Sequence, residues 1–432
     1  MSETPAATPA AQLGLSVPET LEQDEMCMMP ISVHAGREDW PAGVEALARP
    51  LDSSSPRPTT LAELTTLRVG GPVLDYVETT TEAELIDAVR AADADGTPLL
   101  VIGGGSNVLA SDAGFDGVVV RDARTDVELS ADDRCGGVEF TATAGTTLDD
   151  LVRQAIASDW GGFAPLSGIP GTVGAAPVQN VGAYGTEVAE LVSGVRAWDR
   201  LEQRPVWMPL GDLHLSYRDS ALKRSLTDAT VGGGRTWGPT GRWVVLSVTF
   251  GVRQASLSAP IAYGQLAKAL GAEVGDRVDS RAVRDAVLQL RRSKGMVLDG
   301  ADHDTWSAGS FFTNPVLTTE EAAGLPEDAP RYPVTDHSKA IVGSREAPVV
   351  EGLVKTSAAW LIDHAGFGKG HAVGGVPTDD ATAALSTKHV LALTNRGTAT
   401  AEDLAALRDE VVDGVESAYG VRLVPEPVHV GW

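Results

Sequence analysis

The chain has 432 residues, of which 43% are hydrophobic and 22% charged, so it is long enough for two or three globular domains. Its 34 Lys and Arg residues against 59 Asp and Glu give a net charge of −25, which argues against nonspecific binding to nucleic acid or to an anionic membrane. The two cysteines, Cys27 and Cys135, form no C-x-x-C pattern and are too few for a disulfide framework, so we expect a reducing compartment and a cytoplasmic protein.

The N-terminal segment differs in composition from the rest of the chain. Residues 1–58 are rich in Pro, Ala, Ser and acidic residues and lack periodicity, which predicts a disordered or loosely attached arm. The segment has neither the basic region nor the apolar region of a signal peptide, and no later apolar run approaches the ~18 residues that a membrane span needs. We therefore expect neither secretion nor membrane insertion.

Helices and strands follow one another from Leu61 onward. Thr81 and Glu84 have the spacing of a capping box before a helix with one apolar face, which ends at Gly96. Further helices are predicted after Thr147, from Ser280, and over residues 400–420. Strands are predicted over residues 98–102, 118–121, 138–144, 243–250 and 421–430. This mixture predicts an α+β protein.

Two glycine-rich loops suggest a nucleotide site. Gly103 to Asn107 directly follows a predicted strand and offers backbone N–H groups that no side chain covers. It is not the Rossmann fingerprint, because Val108 stands where the third glycine is required, and the chain contains no P-loop. The second loop, residues 166–185, has five Gly and two Pro and stays mostly apolar. The first loop alone could be a simple turn, whereas two such loops can hold one extended dinucleotide from both sides.

Ser310 lies between Gly309 and two phenylalanines in a pattern unlike that of a hydrolase. A nucleophilic serine of the α/β-hydrolase kind needs a glycine two residues after it, and Phe312 occupies that position here. The sequence therefore argues against acyl transfer.

Five segments together resemble one enzyme family. VIGGGSNVLASDAGFDGVVV at residues 101–120 alone is typical of a wider flavoprotein fold, and SGIPGTVGAAPVQNVGAYG at residues 167–185 narrows the resemblance. LSYRDSALK, SAGSFFTNP and VPEPV follow in the same order as in the family, from Leu215, Ser307 and Val424. The chain from Leu61 onward thus resembles the UDP-N-acetylenolpyruvoylglucosamine reductases, in their type I branch, which has a tyrosine on a substrate loop.

The resemblance implies a fold and its division into domains. The fold is the FAD-binding fold of the vanillyl-alcohol oxidase (PCMH-type) class in two subdomains, followed by a C-terminal α+β substrate domain. The implied units are residues 59–127 with 420–432 for the first FAD-binding subdomain, 128–295 for the second, and 296–419 for the substrate-binding domain.

The resemblance also implies a reaction. It is the NADPH-dependent, FAD-mediated reduction of the enolpyruvyl ether of UDP-N-acetylglucosamine to UDP-N-acetylmuramate, a step of peptidoglycan precursor synthesis. By resemblance, Ser310 donates a proton while Arg218 and Glu426 stabilise an enol or enolate intermediate. An arginine suits that role because its planar guanidinium stays charged and meets a carboxylate with two donors.

The resemblance assigns ligand contacts as well. FAD, bound non-covalently because the first loop has no His or Cys, is expected at Gly103, Gly104, Gly105, Ser106, Asn107, Gly168, Ile169, Pro170, Gly171, Gly174, Ala175, Gly182 and Tyr184. Substrate is expected at Tyr263, Arg291, Lys294, Asn314 and His389. We expect a monomer with NADPH and UDP-N-acetylenolpyruvoylglucosamine as small-molecule partners, and without a metal site or a nucleic-acid partner.

Two other functions remain open on the sequence. An FAD-dependent oxidase of the same fold would act on an alcohol or sugar and react rapidly with oxygen. A non-catalytic nucleotide-binding protein would not turn over. Residues 224–242 look like an insertion in the family pattern, either a surface hairpin or a cover for the mouth of the site.

Overall fold

The computed structural model describes residues 57–133, 137–335 and 348–432. Cys27 and Cys135 lie outside these ranges, and so does the predicted N-terminal arm except for Arg57 and Pro58. Within the described ranges, no helix combines the length and the apolar character that a membrane span requires.

A small parallel sheet with one helix forms the first layer. Its elements are β1 (Val73–Thr79), α1 (Glu82–Asp95), β2 (Leu99–Ile102), β3 (Val108–Ala110) and β4 (Phe115–Asp122). Strand β4 lies between β1 and β2 and pairs with both in parallel, and α1 supplies the crossover that parallel strands need. The predicted helix is confirmed, because Thr81 and Glu84 form its capping box and Gly96 ends it in the left-handed conformation.

An antiparallel sheet forms the second layer. The elements here are β5 (Val127–Asp133), β6 (Gly137–Thr143), α2 (Leu148–Ala157), β7 (Gly182–Ala183), β8 (Thr186–Glu187), β9 (Val192–Asp199), β10 (Arg204–Pro209), α3 (Leu210–Leu213), α4 (Ala221–Arg224), β11 (Trp243–Val252), α5 (Gly264–Leu270) and α6 (Ser280–Ser293). The strand order is β10-β9-β11-β6-β5, and β7 pairs with β8 separately. The core shared by this sheet, α2 and α6 is centred on the aromatic rings of Phe140, Trp160, Phe163 and Phe250.

The predicted insertion forms a series of turns and not a hairpin. The indole N–H of Trp237 donates to the Gly232 carbonyl at 2.8 Å inside this segment. The Thr240 hydroxyl accepts from the Val101 N–H at 2.7 Å, so the segment packs against β2 of the first layer.

The third layer has its own core. Its elements are β12 (Val316–Thr318), α7 (Thr319–Ala323), β13 (Tyr332–Thr335), β14 (Val349–Lys355), α8 (Ala358–His364), β15 (Ala383–Leu385), β16 (Leu393–Asn395) and α9 (Ala401–Tyr419). The last strand, β17 (Val428–Val430), belongs to the core of the first layer. Strand β14 pairs with β12 and β13, and β15 pairs with β16. Phe311 and Phe312, at 0% and 2% exposure, belong to this core together with Leu361 and Leu407, so their rings pack inside the layer and do not line an open cleft.

The predicted strand over residues 421–430 is wrong in its extent. Only Val428–Val430 is a strand, and it pairs in parallel with β3, Val428 lying opposite Val108. The segment before it contacts the third layer instead, because Pro425 forms an isolated β-bridge with Phe312. The end of the chain therefore touches both the first and the third layers.

Phe250→Ala is expected to destabilise the second layer strongly. The Phe250 ring is fully buried, with its centroid 5.2 Å from that of Phe140 and 5.4 Å from that of Phe163. Its truncation leaves a cavity and should lower the free energy of unfolding by about 3–5 kcal/mol, measured by chemical denaturation. Trp207→Ala on β10 is the control, because that side chain is 52% exposed. Equal denaturation midpoints for the two variants would show that Phe250 is not a core residue.

Candidate active site

The two predicted glycine loops lie against each other. A Cβ atom on Gly104 would come within 2.8 Å of the Gly171 Cα, so the backbones meet where neither loop accepts a side chain. The Ser106 hydroxyl donates to the Pro170 carbonyl at 3.3 Å and joins the loops again. The first loop, between β2 and β3, and the second loop, after α2, thus form one continuous surface.

A buried ion pair supports the second loop from behind. The Gly168 N–H donates to Asp149 Oδ1 at 2.6 Å, and Arg284 holds the same carboxylate with two hydrogen bonds of 2.7 and 2.8 Å. Burial alone would raise the pKa of Asp149, but the hydrogen bonds and charge of Arg284 and the Gly168 N–H hold that pKa below its usual value. The carboxylate is therefore ionised and fixes the start of the loop.

Arg291 lies beside this support and not on an open surface. Its Nε atom is 3.6 Å from where a Cβ on Gly168 would stand, and its Nη2 donates to the Met296 carbonyl at 2.9 Å. Burial lowers the pKa of Arg291. The resemblance implies that Arg291 and Lys294 both contact the substrate, and in the structure Arg291 packs behind the glycine loop.

The loop region fits an extended, hydrogen-bonding cofactor such as FAD. Six buried side-chain donors lack a hydrogen-bond partner among the described residues, and two of them, Gln179 Nε2 and Arg291 Nε, lie in or behind the second loop. Gly174 and Ala175 contribute differently, because their N–H groups donate to the Ala144 and Thr172 carbonyls and shape the loop. Of the other predicted contacts, Gly103 and Ile169 are also partly exposed on these loops.

Two of the three predicted catalytic residues, Arg218 and Glu426, meet from distant parts of the chain, and Glu426 adjoins the segment of the third, Ser310. Arg218 Nε lies 3.5 Å from Glu426 Oε1, and both side chains are largely buried. The Glu426 N–H donates to the Phe311 carbonyl at 2.8 Å, which sets Glu426 beside the residue that follows Ser310. Ser310 is half-buried, and its hydroxyl makes no hydrogen bond within the described ranges.

Asn107 connects this cluster to the first glycine loop. Its Nδ2 donates to the Glu426 carbonyl at 3.3 Å, and its own carbonyl accepts from the Val428 N–H at 2.9 Å. The pairing of β17 with β3 continues this contact. The segment of Glu426 therefore lies directly against the first glycine loop.

Arg218 has a backbone conformation that the sequence did not reveal. Its φ of +55° lies in the left-handed region, which costs a non-glycine residue on the order of 1–3 kcal/mol. The guanidinium donates from Nη1 to the Asn180 carbonyl at 3.2 Å and from Nη2 to the Gly182 carbonyl at 2.9 Å. These contacts orient the side chain from the second loop towards Glu426.

Tyr184, Tyr263 and Lys294 form a neighbouring cluster. The two tyrosine rings meet edge to face with centroids 5.7 Å apart, and Lys294 Nζ lies 5.8 Å from the Tyr184 centroid. Lys294 also donates to Gln265 Oε1 at 2.9 Å. Burial raises the pKa of Tyr184. It lowers the pKa of Lys294, and the positive charge of Arg291 lowers that pKa further. Tyr263, 45% exposed before α5, is the most accessible of the three.

His389 and Asn314 have different surroundings. Burial, together with the charges of Lys294 and Lys369, lowers the pKa of His389 to about 4, so its imidazole is neutral at neutral pH. Asn314 Oδ1 accepts from the Ala358 N–H at the start of α8, and its N–H donates to the Tyr217 hydroxyl at 3.3 Å. Asn314 thus connects the third layer to the turn that carries Arg218.

Sequence reasoning missed two lysines beside Arg218. Lys223 Nζ donates to the Arg218 carbonyl at 3.1 Å, and Lys355 Nζ lies 4.4 Å from the centroid of the Tyr217 ring. Burial lowers the pKa of both. Lys223 ends the LSYRDSALK motif, which was a usable signal, whereas only the fold brings Lys355 from the end of β14 to this place.

Comparison with known proteins gives the class and then the family. Residues 74–201 match the family described as FAD binding domain, and residues 301–430 match UDP-N-acetylenolpyruvoylglucosamine reductase, C-terminal domain. With the fold described above, these matches define an FAD-dependent oxidoreductase with the FAD-binding fold of the vanillyl-alcohol oxidase (PCMH-type) class and a C-terminal α+β domain. The UDP-N-acetylenolpyruvoylglucosamine reductase of Nocardia farcinica is 51% identical over 373 residues, 86% of this chain and 88% of that protein. The enzyme of the same name from Cutibacterium acnes is 47% identical over 371 residues, 86% of this chain and 89% of that protein.

The chain belongs to the UDP-N-acetylenolpyruvoylglucosamine reductase family. It is an oxidoreductase of peptidoglycan precursor synthesis that uses FAD and NADPH. The crystal structure of UDP-N-acetylenolpyruvylglucosamine reductase from Thermus caldophilus is similar at a TM-score of 0.52 and 23% identity, covering 86% of this chain and 97% of that chain. This likeness agrees with the predicted fold class.

Asp149→Asn is expected to loosen the second glycine loop. Breaking a buried ion pair is costly, so the variant should lose about 3 kcal/mol of unfolding free energy at neutral pH and bind FAD more weakly. Because the folded-state pKa of Asp149 is lowered, the carboxylate stabilises the native protein fully above the unfolded pKa of about 4 and ceases to do so as the pH falls through the folded-state pKa.

The unfolding free energies of the unmodified protein and of Asp149→Asn should therefore approach each other below about pH 4. Chemical denaturation across a pH series measures both. A difference that stays constant over the whole series would contradict an ionised Asp149 as the support of the loop.

Proposed function

We propose that this site reduces the enolpyruvyl ether of UDP-N-acetylglucosamine to UDP-N-acetylmuramate, with Ser310, Arg218 and Glu426 acting on the substrate. The observation that carries the proposal is the meeting of Arg218 and Glu426, 3.5 Å apart, beside the segment of Ser310 and against the first glycine loop. A cation, a carboxylate and a hydroxyl from distant segments are what an anionic substrate that gains a proton requires.

The two glycine loops are proposed to hold FAD non-covalently through the loop residues named from the sequence and through the unpaired donor of Gln179. When bound there, FAD would supply the hydride-transfer chemistry that links NADPH to the vinyl carbon of the substrate. The close contact of Gly104 with Gly171 supports this assignment, because backbone groups can then approach an extended dinucleotide without obstruction.

Arg218 is proposed to stabilise the negative charge that develops on the enolpyruvyl carboxylate. Two of its five N–H groups donate to the Asn180 and Gly182 carbonyls and its Nε lies 3.5 Å from Glu426, so further N–H groups remain for the substrate. Because these contacts fix the guanidinium in advance, it needs little reorganisation during the reaction, and such a contact is typically worth about 3–4 kcal/mol in the transition state. Glu426 orients the guanidinium and flanks the same intermediate.

Ser310 is proposed to donate the proton that completes the reduction. A serine hydroxyl is a weak acid, so it transfers its proton only to a strongly basic carbon in a site that excludes water. The proton passes from Oγ to the carbon next to the carboxylate, and solvent then restores the hydroxyl. The half-buried position of Ser310 and the absence of a hydrogen-bond partner among the described residues support this role.

The nucleotide part of the substrate is proposed to bind at Tyr263, Lys294, His389 and Asn314, and Arg291 is proposed to act on it through its charge and not by direct contact. Lys294 offers an ammonium next to Tyr184, and the charges of Lys294 and Lys369 act on His389, which indicates a shared cationic pocket for a diphosphate. His389 contributes as a neutral hydrogen-bonding ring because of its lowered pKa. Arg291 adds positive charge from behind the loop.

We also propose that the chain belongs to the type I branch, is divided into the domains predicted from the sequence, and acts as a cytoplasmic monomer. The edge-to-face contact of Tyr263 with Tyr184 supports the branch, because it is a weak contact that a moving loop can break and remake. Separate hydrophobic cores in the second and third layers support the domain division.

Ser310→Ala should separate the two halves of the reaction. We expect flavin reduction by NADPH to stay nearly unchanged and flavin reoxidation by the enolpyruvyl substrate to slow by about 10²-fold or more, measured anaerobically by rapid mixing. Thr313→Val, which removes a hydroxyl from the same segment, is the control. Equal slowing of both halves would instead indicate a role in folding or flavin binding. In a separate run of the unmodified protein with oxygen and without the enolpyruvyl substrate, rapid flavin reoxidation would indicate an oxidase.

Tyr263→Phe tests the branch assignment. If its hydroxyl closes over the substrate diphosphate, the variant should raise KM for the enolpyruvyl substrate about tenfold with little change in flavin reduction by NADPH. Steady-state kinetics with each substrate varied in turn measure this. An unchanged KM would remove the support for a substrate-loop tyrosine.

A further inference from the structure

The turn that carries Arg218 is held in an unfavourable conformation. Ser216 and Asp219 exchange two backbone hydrogen bonds of 3.0 and 3.2 Å, so Tyr217 and Arg218 are the central residues of a tight turn. A positive φ at the second central position is usual for glycine or asparagine, and Arg218 adopts +55°. Something outside the turn has to favour this conformation.

Lys223 is placed to do so. Helix α4 follows the turn, and Ser220 caps it by accepting from the Lys223 N–H at 2.9 Å, while the Ser220 hydroxyl donates to the Val178 carbonyl at 2.7 Å. The side chain of Lys223 then returns to the turn, and its Nζ donates to the Arg218 carbonyl at 3.1 Å. The ammonium therefore binds the carbonyl of the peptide group that joins Arg218 to Asp219.

The charge of Lys223 also acts on the catalytic pair. Burial lowers the pKa of Lys223, while the negative charges of Glu426 and Asp219 oppose that effect and the charge of Arg218 adds to it. The half-buried ammonium is thus hydrogen-bonded to the turn carbonyl, and the charges of the two carboxylates act on it. Its loss would remove one of the contacts that oppose relaxation of the turn to a right-handed φ, a change that would redirect the Arg218 side chain.

We propose that Lys223 is a positioning residue of the reductase, which holds the Arg218 turn in its left-handed conformation so that the guanidinium meets Glu426 and the substrate carboxylate. This inference rests on the proposed function of Arg218. It concerns the second half of the reaction only, because NADPH does not need the enolate-stabilising contact.

Lys223→Met tests the proposal, since methionine keeps an unbranched stem and loses the ammonium. We expect reoxidation of the reduced flavin by the enolpyruvyl substrate to slow by about tenfold, with flavin content and reduction by NADPH unchanged. Lys223→Arg should restore most of the rate. Arg224→Met is the matched control on the same helix: its guanidinium pairs with the Asp219 side chain in a partly exposed contact of the kind that contributes little.

The double variant Arg218→Ala/Lys223→Met gives the sharpest result. If Lys223 acts through Arg218, the double variant should reoxidise no more slowly than Arg218→Ala alone. Additive losses would overturn the proposal, as would a Lys223→Met variant that behaves like Arg224→Met or slows both half-reactions equally. If Lys223→Met fails to retain flavin, Lys223→Gln replaces it under the same prediction.

The proposed roles of Arg218 and Lys223 can be rejected separately. If Arg218→Ala itself leaves reoxidation unchanged, the proposed function of Arg218 is wrong. If Arg218→Ala is slow while Lys223→Met is not, the function stands and only the role of Lys223 is wrong.

Discussion

The contact between Arg218 and Glu426 is the constraint on which the site depends. Arg218 lies on a turn of the second layer, and Glu426 lies near the end of the chain. Their contact requires the C-terminal segment to leave the third layer and return to the first, which it does through the bridge of Pro425 to Phe312 and the pairing of β17 with β3. The topology of the whole chain thus brings one cation and one carboxylate together next to Ser310.

The site concentrates positive charge, although the molecule as a whole is negatively charged. The chain has a net charge of −25, yet Arg218, Lys223 and Lys355 gather on one side of the site and Lys294 and Lys369 act on His389 on another. Such a local concentration of positive charge favours a ligand with several negative groups, and the negative surroundings disfavour polyanions that cover a larger area. A carboxylate and a diphosphate on one small molecule meet this condition.

The sequence predicted local structure well where the local signal was strong. The capping box of Thr81 and Glu84 and the terminal Gly96 define α1, because these residues satisfy the helix ends by themselves. Residues 421–430 look apolar and extended, yet only Val428–Val430 forms a strand, because the partner of the preceding segment is a distant one. The left-handed φ of Arg218 and the burial of Arg291 behind Gly168 also depend on tertiary contacts, so no local pattern reveals them. The positions of Ser310, Arg218 and Glu426 came from resemblance, and the fold adds that their segments meet.

A crystal structure with FAD and an unreactive analogue of the enolpyruvyl substrate would show the proposed positions of Ser310 and Arg218. We expect the Ser310 hydroxyl to lie about 3–3.5 Å from the carbon that receives the proton, the distance of reacting atoms in a productive complex. We also expect the Arg218 guanidinium to contact the substrate carboxylate while it keeps its contact with Glu426. A complex in which Ser310 faces away from the analogue, or in which Arg218 leaves Glu426 and makes no contact with the carboxylate, would contradict these expectations.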